Sequence, residues 1–248
     1  MNRLIRAEGY RLLHSGVYLR ILLFSGLVLS VLPMMTDFSL LDKSLAENME
    51  SFLSGSTMSI MFVPIVIAVF VVTGYMKKTA YYEVMTGNKI RSIIGSKLFV
   101  DGIIVGVIYF FFTIVLPATV VMKNGTSGVT QLPLRAFLLF VICLHVTMLA
   151  VLMGLTVKNI AAAAVVYLRF MLLDIILAEL LPMLFEKWNV SEEVSVRIAR
   201  CTFTRQMSEV FRTEISTELV VITLASFLIE VGIWYGITYL TMKKKWYK

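Results

Sequence analysis

Histidine, cysteine and charge are all scarce in this sequence, and each scarcity removes a class of function. Two histidines, His14 and His145, and two cysteines, Cys143 and Cys201, occur in 248 residues. Neither pair has metal-ligand spacing, and two distant thiols imply no disulfide framework. Cys143 lies inside an apolar run and is expected to be buried and inert. Charged residues make up 16% of the chain, whereas a soluble domain has about 25%. A P-loop is also missing. Wrapping phosphates with backbone N–H groups needs G-x-x-x-x-G-K-[ST], and the stretch Gly87 to Lys97 has the wrong spacing and runs into Leu98. This chain is therefore not expected to hydrolyse ATP, and no catalytic or metal site is expected in it.

What the chain has in abundance is apolar matter: 58% hydrophobic residues and a mean hydropathy of +0.85. That excess must face lipid, where only closed backbone structures persist, so the expected class is an all-α polytopic membrane protein. The net charge of +7 lies in blocks beside apolar runs. Such blocks set membrane orientation; nucleic-acid binding needs a solvated basic face instead.

The whole chain, 1–248, reads as one transmembrane domain. Residues 1–16 form an amphipathic helix with Arg3, Arg6, Arg11 and His14 on one arc, suited to the headgroup layer, although Glu8 spoils the division. Six apolar stretches follow at about 17–35, 56–76, 98–121, 135–157, 160–184 and 218–241. The first is not a signal peptide, because it ends in Leu32-Pro33-Met34-Met35-Thr36 without a small-x-small cleavage pattern. Lysine and arginine fill the N-terminal segment, the second connection (Lys77, Lys78, Lys89, Arg91, Lys97) and the tail (Lys243, Lys244, Lys245, Lys248). The first connection carries Asp37, Asp42, Glu47 and Glu50 against Lys43 alone. Both termini are thus expected in the cytoplasm of a bacterial cell, with the spans in its plasma membrane. Lys158 and Asn159 alone join the fourth and fifth spans, a tight hairpin. Pro182 is expected to end the fifth helix, leaving about 185–217 as a long outer segment of mixed charge.

The most patterned connection is Lys77 to Lys97. Thr86-Gly87-Asn88 is a break with N-cap chemistry, after which Ile90, Ile93 and Ile94 share one helical face. Lys89, Arg91, Ser92 and Ser96 lie elsewhere on it, and Lys97 opens the third span. The plain alternative is a positive-inside loop that only anchors topology.

In layout and in this segment the chain resembles the permeases of type-2 ATP-binding-cassette exporters. In that family the coupling region often reads as a break residue, a Ser-Arg-like pair, a few aliphatics and a lysine entering the third span. Thr86-Gly87-Asn88-Lys89 and Ile93-Ile94-Gly95-Ser96-Lys97 are similar, although Lys89 stands where arginine is usual and no proline precedes it. The short length most resembles permeases of peptide-antibiotic self-protection, including lantibiotic immunity. The resemblance implies a coupling helix over 77–97 and two ATPase subunits beneath it, which hold the ATP and magnesium. It also implies a second permease copy or paralogue, and an amphipathic or hydrophobic cargo.

Ionisable groups inside a span cost at least about 2.5–3.5 kcal/mol each on insertion scales, which makes them functional candidates. Arg169, Asp174 and Glu179 fall in the fifth span and Glu230 in the sixth. At about 1.5 Å per residue the depths of Arg169 and Glu230 differ by only about 3 Å, so these two are expected to pair. The pair would fix helix register or contact cargo. Asp174 is expected to be a poor partner for Arg169, since five residues turn an α-helix past one face. His145 reads as a satisfied interior histidine. The string Glu192-Glu193-Val194-Ser195-Val196-Arg197 matches EExxxR of intramembrane prenyl-protein proteases, but no histidine follows it. A non-transporting sensory or assembly subunit has the same topology as a permease.

Overall fold

The computed structural model describes residues 2–36, 38–76, 83–157, 159, 161–174, 176–188, 191–212 and 214–246. Asp37, Lys77, Lys78 and Lys248 of the charge argument, and Lys158 of the expected tight hairpin, lie outside them. The described chain is all-helical, with no strand among the described residues. Helix α1 is Asn2–His14, α2 is Gly16–Thr36 and α3 is Met49–Met76. Helix α4 runs as one rod from Ile90 to Met122, and α5 is Leu132–Val157. Four pieces, Ala161–Tyr167, Leu168–Leu173, Ile176–Leu180 and Leu181–Lys187, are grouped as α6, with Ile175 outside the described residues. Helices α7 (Glu192–Ala199), α8 (Phe203–Arg212) and α9 (Thr217–Trp246) complete the chain.

Three of these, α4, α5 and α9 through Lys244, are long and apolar enough to cross a membrane, and α1 with Tyr18–Val28 makes a fourth if that bent pair is one span. Their burial differs sharply. In α5, 72% of the apolar window is buried, against 6% in α9. Helix α5 is therefore the axis of the bundle, with α3, α4, α8 and α9 packed around it, and α9 is a peripheral helix with most of its apolar surface outward. Leu138, Ile142, Leu149, Leu152 and Met153 of α5 are fully buried.

Close approach rather than hydrophobicity sets the α3–α5 contact, because lipid tails are as apolar as the side chains. A Cβ on Gly154 would lie 3.1 Å from the Ala68 carbonyl oxygen and 3.2 Å from Val71. Gly154→Leu is expected to push these helices apart at a cost of about 1–3 kcal/mol, read as a lower thermal midpoint in detergent. An unchanged midpoint would show that the contact is loose.

The ends depart from the sequence reading in instructive ways. Helix α3 begins at Met49 rather than near residue 56, because the acidic connection folds into a cap. The Ser44 N–H and hydroxyl both donate to Glu47 (2.8 and 2.7 Å), and buried Asn48 donates its amide to the Leu40, Lys43 and Ser44 carbonyls. Pro182 does not end α6, whose α-helical turns continue to Lys187. The π-helical stretch Ile176–Leu180 hands over at Leu181, so Pro182 occupies a first turn, where a missing N–H costs nothing.

The segment 185–217 is also more than a solvated outer stretch. Helix α7 packs back on the end of α6, and α8 turns Phe203, Gln206, Met207, Val210 and Phe211 inward. Phe203 touches His145 (ring centroids 4.7 Å), and the Val210 carbonyl accepts from the Arg135 guanidinium. Those two partners are ten residues apart on α5, about 15 Å along its axis. Helix α8 thus lies against the half of the bundle opposite Lys97 and reaches to its middle.

Candidate functional site

Three places bring chemistry-bearing side chains together. The first is the junction of α1 with α4, at the end carrying the basic segments, here termed the basic end. Glu8, which breaks the polar arc of α1, is 3% exposed. It accepts from Lys97 Nζ at 2.9 Å and pairs with Arg11. Lys97 also lies 3.5 Å from Glu83, and Arg11 lies 3.5 Å from the fully buried Asp101. The Arg11 guanidinium sits 4.6 Å over the Phe70 ring, on which Tyr18 also stacks. Helices α1, α2, α3 and α4 are therefore locked at one charged knot.

Burial pushes the Glu8 carboxyl up, but Lys97 and Arg11 outweigh it and hold Glu8 below the usual carboxylate range. Glu83 moves the other way, raised by burial that Lys97 offsets only in part. The two acids respond to pH with opposite signs. Glu8 stabilises the fold fully above its unfolded value, and this is lost as pH falls through its depressed folded value. Glu83 favours the fold below its unfolded value, and that is lost as pH rises through its raised folded value.

The second place is the turn that precedes α4. Gly87 has φ +81°, a left-handed conformation that lets the chain reverse. Asn88 does not cap α4. Its amide faces back, donating to the Glu83 carbonyl (3.0 Å) and to Thr86 Oγ1 (2.9 Å). Lys89 occupies the N-cap position with no side-chain cap bond. Ile90, Ile93 and Ile94 are buried in the core of this chain, and Lys97 is in the charged knot. Met85, Thr86, Gly87, Lys89 and Arg91 are what the segment exposes.

The third place lies mid-bundle. Arg169 Nε is 2.5 Å from Glu230, and Arg169 Nη1 is 2.9 Å from Asp174. The expectation that Asp174 is a poor partner for Arg169 fails for a geometric reason: Leu168–Leu173 is π-helical. Its i→i+5 bonding widens each turn, so residues five apart share a face. Asp174 also accepts from the Thr204 N–H (3.1 Å) and hydroxyl (3.2 Å), which ties α8 into the network. His145 is not isolated. It is 1% exposed, with Nε2 3.3 Å from Glu230, although neither ring nitrogen has a well-aligned hydrogen bond among the described residues. Phe203 covers both His145 and Arg169.

Nearer the end opposite the basic one is an apolar cavity of about 190 Å³ walled by Phe52, Phe110, Ile114, Met122, Leu139 and Phe211. Among the described residues no group of three His, Cys, Asp or Glu side chains could hold a metal ion. Glu193 and Arg197 of the EExxxR string form an exposed pair at 2.7 Å, with Arg197 reaching Glu218 at 3.1 Å. The sequence reading noted Glu8 only as a break in the polar arc and gave no role to Glu83 or Asp101. Asp101 had a signal: it is an acid inside an apolar run, four residues after Lys97.

Comparison of the chain with protein-family models, with curated proteins and with solved structures finds no match.

Proposed function

We propose that this chain is the membrane permease subunit of an ATP-binding-cassette transporter, with six spans, both termini cytoplasmic and a separate ATPase as its motor. The observation that carries the reading is the exposed turn 85–89 mounted on the charged knot. A partner pressing on Met85, Thr86 or Lys89 meets no loose loop. It meets the first turn of a 33-residue helix whose base is fastened to α1 by Lys97 and Glu8. Force applied there is delivered to the apolar bundle as a rigid displacement. Two ATPase subunits and a second permease copy or paralogue complete the assembly in the bacterial plasma membrane. An amphipathic or hydrophobic cargo, foremost a peptide antibiotic, suits the apolar cavity beside Phe52 and Phe211.

Met85, 67% exposed, is the apolar knob of the turn. Met85→Asp is expected to weaken ATPase capture about thirtyfold, the loss of one interface hot spot, while the chain folds and inserts normally. The readout is mass spectrometry of what co-purifies after gentle detergent extraction. A wild-type chain that purifies with no ATPase would instead identify a self-contained sensory or assembly subunit.

A further inference from the structure

Helix α9 ends beside the start of α4, and the two enclose a cleft of about 380 Å³ lined by Lys89, Ile90, Arg91, Tyr239 and Lys243. Three of those five residues are cations. Among the described residues no carboxylate lies within ion-pair distance of any of them, unlike Lys97, Arg11 and Arg169. Arg91 is held in position, its guanidinium 5.2 Å over the Tyr239 ring. Like charges gathered in one cleft repel, and such an arrangement is stabilised when an anion enters it. The phosphate group is the shared chemistry that fits, and the surroundings specify its source. Immediately beyond the cleft, α9 presents Leu240, Ile237 and Ile233 outward at 64%, 40% and 56% exposure. This is an apolar strip on which an acyl chain can lie.

We propose that this cleft binds the headgroup of one anionic phospholipid, with its phosphate between Lys89, Arg91 and Lys243 and a tail along the outer face of α9. The cations attract the charged headgroup at the membrane surface, and the strip keeps the tail in hydrocarbon. The bound lipid bridges α4 and α9 beside the Arg91–Tyr239 contact that already joins them at the basic end. The inference requires only that the chain reside in a membrane; no ATPase is needed for it.

The test is native mass spectrometry of the purified full chain after exchange into vesicles of phosphatidylglycerol, or of phosphatidylcholine alone. Wild type is expected to retain one phosphatidylglycerol and no phosphatidylcholine. Each cation removed is expected to weaken retention about fivefold, and Lys89→Gln/Arg91→Gln/Lys243→Gln together on the order of a hundredfold. Lys243→Gln alone, on a surface position at the end of α9, gives the single-step reading without touching α4. Arg3→Gln/Arg6→Gln, which removes exposed charge from α1, is expected to leave the bound lipid in place. Equal retention of phosphatidylcholine, or undiminished retention by the triple variant, would overturn the proposal. Displacement of the lipid by inorganic phosphate at millimolar concentration would also overturn it, making the cleft a site for a soluble anion. Met85→Asp should lose the ATPase and keep the lipid, so the two readings fail separately.

Discussion

Lys97→Met is expected to cost about 3–5 kcal/mol and to release α1 from the bundle, the largest effect of any single change at the basic end. The methionine replaces the aliphatic stem almost atom for atom, so packing is kept and only the ammonium is lost. What remains is Glu8, 3% exposed, with Arg11 as its one cation among the described residues, while Arg11 already lies beside Asp101. A carboxylate in that position must either take up a proton or draw water into the knot. Glu8→Gln/Lys97→Met should regain most of the loss, because neither group is then charged. The measurement is a double-mutant cycle on the thermal midpoint in detergent. Thiol labelling of Leu12→Cys, in a chain whose exposed Cys201 is replaced by serine, reports the release directly. Leu12 is fully buried in the intact fold. If Lys97→Met melts with wild type and the introduced thiol stays protected, the knot holds nothing together.

Arg169→Met is the second. It leaves two carboxylates, Asp174 and Glu230, facing each other in an apolar bundle without the cation that each contacts. The expected cost is again about 3–5 kcal/mol, seen as failure to yield a monodisperse protein. A simple charge swap tests less than it would for an isolated pair. Arg169→Glu/Glu230→Arg places the new glutamate against Asp174, which stays acidic, so the swap is expected to remain defective. The triple variant Arg169→Met/Asp174→Asn/Glu230→Gln removes every charge of the set and is expected to fold. On the permease reading, a variant that assembles yet transports nothing would show that the network acts on cargo or on the conformational cycle. Full transport by the triple variant would reduce the network to a device for helix register.

Much of the architecture was legible because lipid imposes a coarse rule. Long apolar runs become helices, and the stretches near 98–121, 135–157 and 218–241 lie within α4, α5 and α9. The Ile90, Ile93, Ile94 face was also readable, since period 3.6 survives at the head of α4. What the pattern could not say was which partner that face meets, and it meets this chain's own core. Three failures have two causes, reliance on ideal α geometry and reliance on charge alone. Five-residue spacing looked unproductive for Arg169 and Asp174 because π turns leave no mark in hydropathy. Pro182 looked terminal for the same reason. Helix α8 was hidden by its charges, although Phe203, Gln206, Met207, Val210 and Phe211 fall at i, i+3, i+4, i+7 and i+8. Glu8 was visible as an exception to an amphipathic arc, and the exception was the informative residue.

The knot at Glu8 and Lys97 also sets a timetable for biosynthesis. Its two members are 89 residues apart in the chain. At roughly 5–20 residues per second, a ribosome delivers the lysine about 4–18 s after the glutamate. Through that interval α1 lacks this partner, and its acidic side chain is still hydrated. Folding of the N-terminal third is therefore gated by translation of the third long helix, and a nascent chain halted before residue 97 must expose α1 to whatever chaperone or protease it meets.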